Sequence, residues 1–216
     1  NITIVEDDPT LVFHNPALIG GVSDKSINLN YMTYMSGTKT ASASFIKAIG
    51  ELSTIGVLAQ YMDYGDMLDT SSSGIKLGNF SAKDIMVGGA FQYCLSERWS
   101  GGITAKFISS SIAGYSSAAL GVDLGLNYYD DDRGWSLSAV AKNLGGQVKA
   151  YNDDYEKIPL NLQLGISKQF AFAPFRLSAT MSRINSWEGR FINHIALGAD
   201  IFLGQSIYIA GGYNFG

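Results

Sequence analysis

The sequence is poor in the groups that most protein chemistry needs. Its 216 residues hold one cysteine, Cys94, which excludes an internal disulfide framework. The two histidines, His14 and His194, are too few with one cysteine for a structural zinc site, so no metal is assigned. Charged side chains make up only 16% of the chain, against about 25% in an ordinary soluble domain. A net charge of −4 lacks the basic face that nucleic acid requires. Long apolar runs are missing too: no stretch approaches the roughly 18 residues of a transmembrane helix, so any membrane crossing must be made by strands. The start shows no signal peptide, no Lys/Arg-rich stretch and no initiator Met, which reads as a mature or trimmed chain.

Catalytic constellations are equally scarce. Asn193-His194 has alanine, not a nucleophile, at the next position of the same strand face, Ala196. The acidic triplets Glu6-Asp7-Asp8 and Asp130-Asp131-Asp132, with Asn152-Asp153-Asp154, lack calcium-loop spacing and read as solvated turns. Asn143-Leu144-Gly145-Gly146 has neither dinucleotide nor P-loop spacing. The sequence therefore predicts no enzyme, no catalytic residue and no cofactor.

What is abundant is glycine (25 residues), tyrosine with phenylalanine (23 together), and alternation. From Lys25 onward the chain falls into period-two segments with two chemically different faces, the signature of strands. The clearest runs from Ala118 to Tyr128. Leu120, Val122, Leu124 and Leu126 lie on one face, Gly121, Asp123, Gly125 and Asn127 on the other, and it closes in Tyr128-Tyr129. Apolar positions facing small or polar ones, ended by interfacial aromatics, fit a wall with lipid outside and a polar lumen inside. Ile27, Leu29 and Tyr31 are assigned to lipid on the same grounds. A soluble sandwich would show the same alternation without a reason for the aromatic ends.

About eleven such strands are visible. Bacterial single-chain barrels have even strand numbers, so closing strands are expected beyond these. Short connections near Ile49 to Glu51, Ser96 to Arg98, Asp130 to Gly134, Ala171 to Pro174, and Gly204-Gln205 alternate with longer ones at Tyr64 to Ser81, Ser109 to Tyr115, Asn143 to Pro159, and Asn185 to Arg190. Ser36-Gly37 is the short exception on the long side. This asymmetry assigns the short turns to the periplasm and the long loops to the outside. Tyr64, Met67, Leu68, Tyr151, Tyr155 and Trp187 fall in the long loops and are candidate partner-binding anchors.

Ahead of the ladder, residues 1–24 are irregular. Pro9 and Pro16, two of the chain's four prolines, rule out a long helix or an inner strand, yet Leu11, Val12, Phe13, Ala17, Leu18 and Ile19 need burial. Irregular apolar backbone at membrane depth is tolerated only inside protein. Residues 1–24 are thus expected to plug a barrel made by residues 25–216, with Asp8, Pro9, Asn15, Pro16 and Ala17 as the plug motif. An ordinary loop lying on a sandwich is the simpler alternative.

Asn15-Pro16-Ala17 after Asp8-Pro9, followed in order by Leu29 to Met32, Gly101 to Phe107, Gly121 to Tyr129, Ala141 to Gly146 and Ile207 to Phe215, resembles the FadL-like outer-membrane barrels of Bacteroidetes. Within them the resemblance is to the PorQ-like proteins of type IX secretion. It implies an all-β, transmembrane antiparallel β-barrel of about fourteen strands with an N-terminal plug, in the outer membrane of a Gram-negative cell. It also implies a non-enzymatic anchor for a surface attachment complex. The implied partners are a surface protein resembling PorZ, beside a PorU-like sortase with its PorV-like barrel, and outer-membrane lipid. The alternative within the same fold is a FadL-type transporter of hydrophobic small molecules.

Overall fold

Alternation along the chain becomes alternation across a wall. In the computed structural model, which describes residues 1–34, 37–70, 76–150, 158–170, 173–187, 189–203 and 207–216, eleven strands form one antiparallel sheet in sequence order. They are β1 (Ser26–Thr33), β2 (Lys39–Ala48), β3 (Ser53–Thr70), β4 (Lys76–Cys94), β5 (Trp99–Ile112), β6 (Tyr115–Asp130), β7 (Trp135–Lys149), β8 (Asn161–Gln169), β9 (Phe175–Met181), β10 (Ile195–Leu203) and β11 (Ile207–Asn214). Each pairs with its chain neighbours, and among the described residues β1 and β11 do not pair with each other.

The sheet curls around the N-terminal segment. That segment reaches Ser44 on β2, Ser100 on β5, Lys142 on β7 and Arg176 on β9, which a flat sheet could not bring together. The face turned away from it carries Leu29, Val57, Val87, Phe107, Leu124, Leu164 and Leu197, between 41% and 78% exposed. Water does not tolerate so continuous an apolar surface; lipid does. Trp99 and Tyr128, 5.2 Å apart, stand with Tyr93 and Trp135 at the short-turn end, and Tyr31 and Tyr61 face each other across Ala41 toward the other end. These are the two aromatic girdles of a transmembrane barrel.

The connections are where sequence and structure part. Tyr64 to Ser81 is not a loop, because β3 continues to Thr70 and β4 begins at Lys76. Ser109 to Tyr115 is not long either: β5 and β6 are joined through Ala113 (φ 49°) and Gly114 (φ 86°), a left-handed pair suited to a tight hairpin. Likewise β7 runs on to Lys149. A tilted strand crosses the hydrocarbon in about 9–11 residues, whereas β3 and β4 have 18 and 19. The asymmetry of the two ends therefore lies in strand length: β3 to β7 rise above the membrane as a β wall. Above the bilayer both faces meet water, so alternation fades there and the sequence looks like loop.

The core inside the barrel is small and comes mostly from the N-terminal segment. Val12, Ile19 and Val22 pack on Ile46, Leu58 and Ala90, with Phe13 and Met86 at the edge.

Candidate functional site: the plugged lumen and its outer mouth

The N-terminal segment is built from the same device used twice. Asp8 precedes Pro9, and its carboxylate accepts from the Thr10 N–H at 2.8 Å and the Thr10 hydroxyl at 2.6 Å, capping a 310 turn over Pro9–Phe13. Asn15 precedes Pro16, and its Oδ1 accepts from the Ala17 N–H at 3.0 Å, capping a second turn over Pro16–Gly21. Proline suits the first position of such a turn because its missing N–H would find no partner there. Asn15 is fully buried and its Nδ2 donates to the Ile2 carbonyl at 2.9 Å, tying the start of the chain to the motif. The Ala17 carbonyl accepts from the Ser100 hydroxyl at 2.8 Å, and the Pro9 carbonyl from Ser44 at 3.0 Å. Backbone groups that no strand ladder can reach are thus satisfied by inward-facing serines.

Glycines admit the segment. A β-carbon at Gly102 would stand 2.6 Å from the Ala17 nitrogen, and one at Gly125 would overlap Asn15 Oδ1. The inward row on β5 and β6 is small because the plug occupies the space. Asn127 belongs to that packed region: it is 2% exposed and donates to Ser136 Oγ (2.9 Å), Ser138 Oγ (2.8 Å) and the Leu137 carbonyl (3.1 Å). It does face inward, but into a saturated hydrogen-bond site and not a water-filled lumen.

Charge closes the rest. Arg176 Nε donates to Asp200 at 2.8 Å and its Nη2 to Glu6 at 2.6 Å, joining β9 and β10 to the segment. On the opposite wall Lys106 Nζ donates to both oxygens of Asp123 at 2.8 Å and to Asn143 Oδ1 at 2.7 Å. The ladder between β6 and β7 slips by one residue there, between Val122 and Leu124. Asn143 takes a left-handed φ of 65° and donates its N–H to Asp123 at 2.7 Å. The bulge turns Lys142 onto the Phe13 carbonyl at 2.8 Å. A cavity of 550 Å³ remains between the segment and β8 to β11, lined in part by His14, Lys142, Gln163, Thr180 and Asp200.

Above the plug the inner wall changes character. Even-numbered residues of β4 face inward, since Met86 and Ala90 pack on the plug. Pairing carries that face up to Ala82 and Phe80, across to Ile108, Ile112 and Tyr115, and, past a slip of register in β3 between Asp63 and Asp66, to Met67 opposite Phe80. The mouth is thus walled by Met67, Phe80, Met86, Ile108 and Ile112, which sequence reading missed by treating the inward faces as small and polar throughout. The even-numbered parity of Phe80, Met86, Ile108 and Ile112 was the available signal; Met67 joins them only because the register of β3 slips between Asp63 and Asp66.

Of the candidate anchors, Tyr64 and Met67 stand on β3, with the Tyr64 hydroxyl donating to Asp84 at 2.7 Å. Leu68, one residue from Met67, points to the outer face and is 59% exposed. Trp187 lies in the β9–β10 connection, stacked on Phe191 at 5.8 Å and tilted on His194 at 5.1 Å. Tyr151 and Tyr155 lie outside the described residues. The His194 ring is buried, with Nδ1 3.0 Å from the Ser182 carbonyl.

The plugged antiparallel sheet with its apolar outer belt has the fold of the FadL-type outer-membrane barrels. Solved structures place it there: the toluene transporter TodX of Pseudomonas putida superposes with a TM-score of 0.66 at 11% identity, over 98% of this chain and 80% of that one. A TodX mutant titled a monoaromatic hydrocarbon channel gives 0.64 at 11% identity, over 99% and 80%. A FadL homologue of Pseudomonas aeruginosa gives 0.62 at 12% identity, over 96% and 75%. No family model and no curated protein sequence matches the chain.

Proposed function

We propose that this barrel is a PorQ-like anchor of type IX secretion, closed to free diffusion and holding a surface protein over its mouth. The observation that carries this reading is the closure itself: one segment hydrogen-bonds or ion-pairs to four strands of the wall, at Ser44, Ser100, Lys142 and Arg176. What stays accessible is the projecting β3–β7 wall with Met67, Phe80 and Met86 inside it. Methionine and aromatic side chains on a rigid edge suit an inserted segment of another protein, because thioethers adapt to irregular shapes. The partner is a surface protein resembling PorZ, with a PorU-like sortase and PorV-like barrel nearby, and the ordered resemblance from Asn15-Pro16-Ala17 to Phe215 supports that assignment.

A second reading is transport of hydrophobic small molecules, and the names of the structural neighbours favour it over docking, since they include a toluene transporter and a hydrocarbon channel. The apolar mouth supports it as well, being concave and rimmed by polar groups. A pull-down of the tagged full-length protein from detergent-solubilised outer membrane separates the two. A stoichiometric protein partner, lost on changing Met67 and Phe80 to Asp, is expected for the anchor. A tightly bound fatty acid or hydrocarbon in place of any partner would establish the transporter.

A further inference from the structure

The outer wall of β2 to β7 carries a second feature, independent of what the lumen does. Register aligns Lys39 with Asp63, Asp63 with Lys83, Lys83 with Ser111, and Ser111 with Ser116. These are adjacent outward positions in one row. Lys149 joins the row by donating to Ser116 Oγ at 2.8 Å. Lys83 stands ten residues above Tyr93 of the lower girdle, about 33 Å along the strand and about 25 Å along the normal at a 35–45° tilt, which is the height of a barrel's apolar band. The row therefore lies at the headgroup level of the outer leaflet, on the side opposite the short turns.

Three lysines against one aspartate leave the row at +2 (3 − 1). Asp63 is engaged locally, accepting from the Gly65 N–H at 3.0 Å. Neither Lys39 nor Lys83 is paired with a carboxylate among the described residues. Directly beneath lie two apolar grooves. One, of 840 Å³, runs between Val87, Phe107, Leu120 and Leu144 over Ala105 and Gly146; the other, of 460 Å³, runs between Leu29, Tyr31 and Ile85 over Ala41, Ala43 and Ala59. Small residues flanked by large ones leave these two apolar hollows in the wall.

We propose that this face binds a phosphorylated glycolipid of the lipid A type, its phosphates on Lys39, Lys83 and Lys149 and its acyl chains in the two grooves. At about 4.8 Å per strand, Lys39 and Lys83 are about 10 Å apart and Lys83 and Lys149 about 14 Å. One phosphodiester headgroup with two chains cannot cover that span or fill both grooves. A ligand with more than one phosphate and more than two chains can, and of the two lipid classes that meet this, cardiolipin and lipid A, the position of the row in the outer leaflet favours the glycolipid.

The test uses the full-length protein in nanodiscs or detergent, titrated with lipid A and, at matched phosphate, with cardiolipin or phosphatidylglycerol, following tryptophan fluorescence and native mass spectrometry. Lipid A binds more tightly than either phospholipid. Changing all three lysines (K39S, K83S, K149S) weakens lipid A by about a hundredfold, each lysine contributing about a factor of five. Gly146→Leu, where an added side chain meets open space, weakens lipid A by filling a groove while leaving the melting temperature without lipid unchanged. Equal affinity for lipid A and the phospholipids, or unaltered lipid A binding in both variants, overturns the proposal.

Discussion

Asn15 fits the notch left by Gly125: its Oδ1 lies where a β-carbon at 125 would have to be, while the same oxygen accepts from the Ala17 N–H at 3.0 Å. The cap of the plug and the absence of a side chain on β6 are one feature seen from two sides. Gly125→Val must push Asn15 aside and break its cap, and Gly102→Val meets the Ala17 backbone in the same way. Both variants should raise single-channel conductance in planar bilayers, as should deletion of residues 1–18. Conductance equal to that of the native protein in all three would show that the segment is not the seal.

Arg176 holds the far side of the plug through Glu6 and Asp200. Arg176→Met leaves Asp200 buried without its partner and releases the segment ahead of Asp8. Limited proteolysis of the folded protein in detergent should then cut within residues 1–8, where the native protein resists.

Lys106 and Asp123 form an ion pair with both side chains about nine-tenths buried. Removing one partner strands the other, at a cost of about 3–5 kcal/mol. Asp123→Leu alone should lower stability by about that amount in urea-dependent refolding. The double change Lys106→Met with Asp123→Leu should recover most of it, which a purely steric role of Asp123 would not allow.

Leu124 faces lipid on β6 and is 44% exposed. Leu124→Arg near the midplane should destabilise by about 2–4 kcal/mol. Thr180→Arg, pointing into the 550 Å³ cavity, should cost clearly less. Asn127→Arg is not the gentle control that an open lumen would have made it, because Asn127 is buried and donates three hydrogen bonds. Equal losses at 124 and 180 would reverse the assignment of the two faces.

The sequence by itself determined the faces of the strands and the irregular, apolar character of the first 24 residues. These are local properties: side chains alternate every residue, and proline constrains only its own turn. Leu120 to Leu126 on one side and Asp123 to Asn127 on the other needed no partner strand to be read. Only the tertiary structure decided that Tyr64 to Ser81 is strand, that the mouth is walled by Met67, Phe80 and Ile108, and which groups hold the plug. Glu6 meets Arg176 across 170 positions and Phe13 meets Lys142 across 129. Pairings at such separations are fixed by the curl of the sheet, and nothing in the local pattern at either end specifies the other.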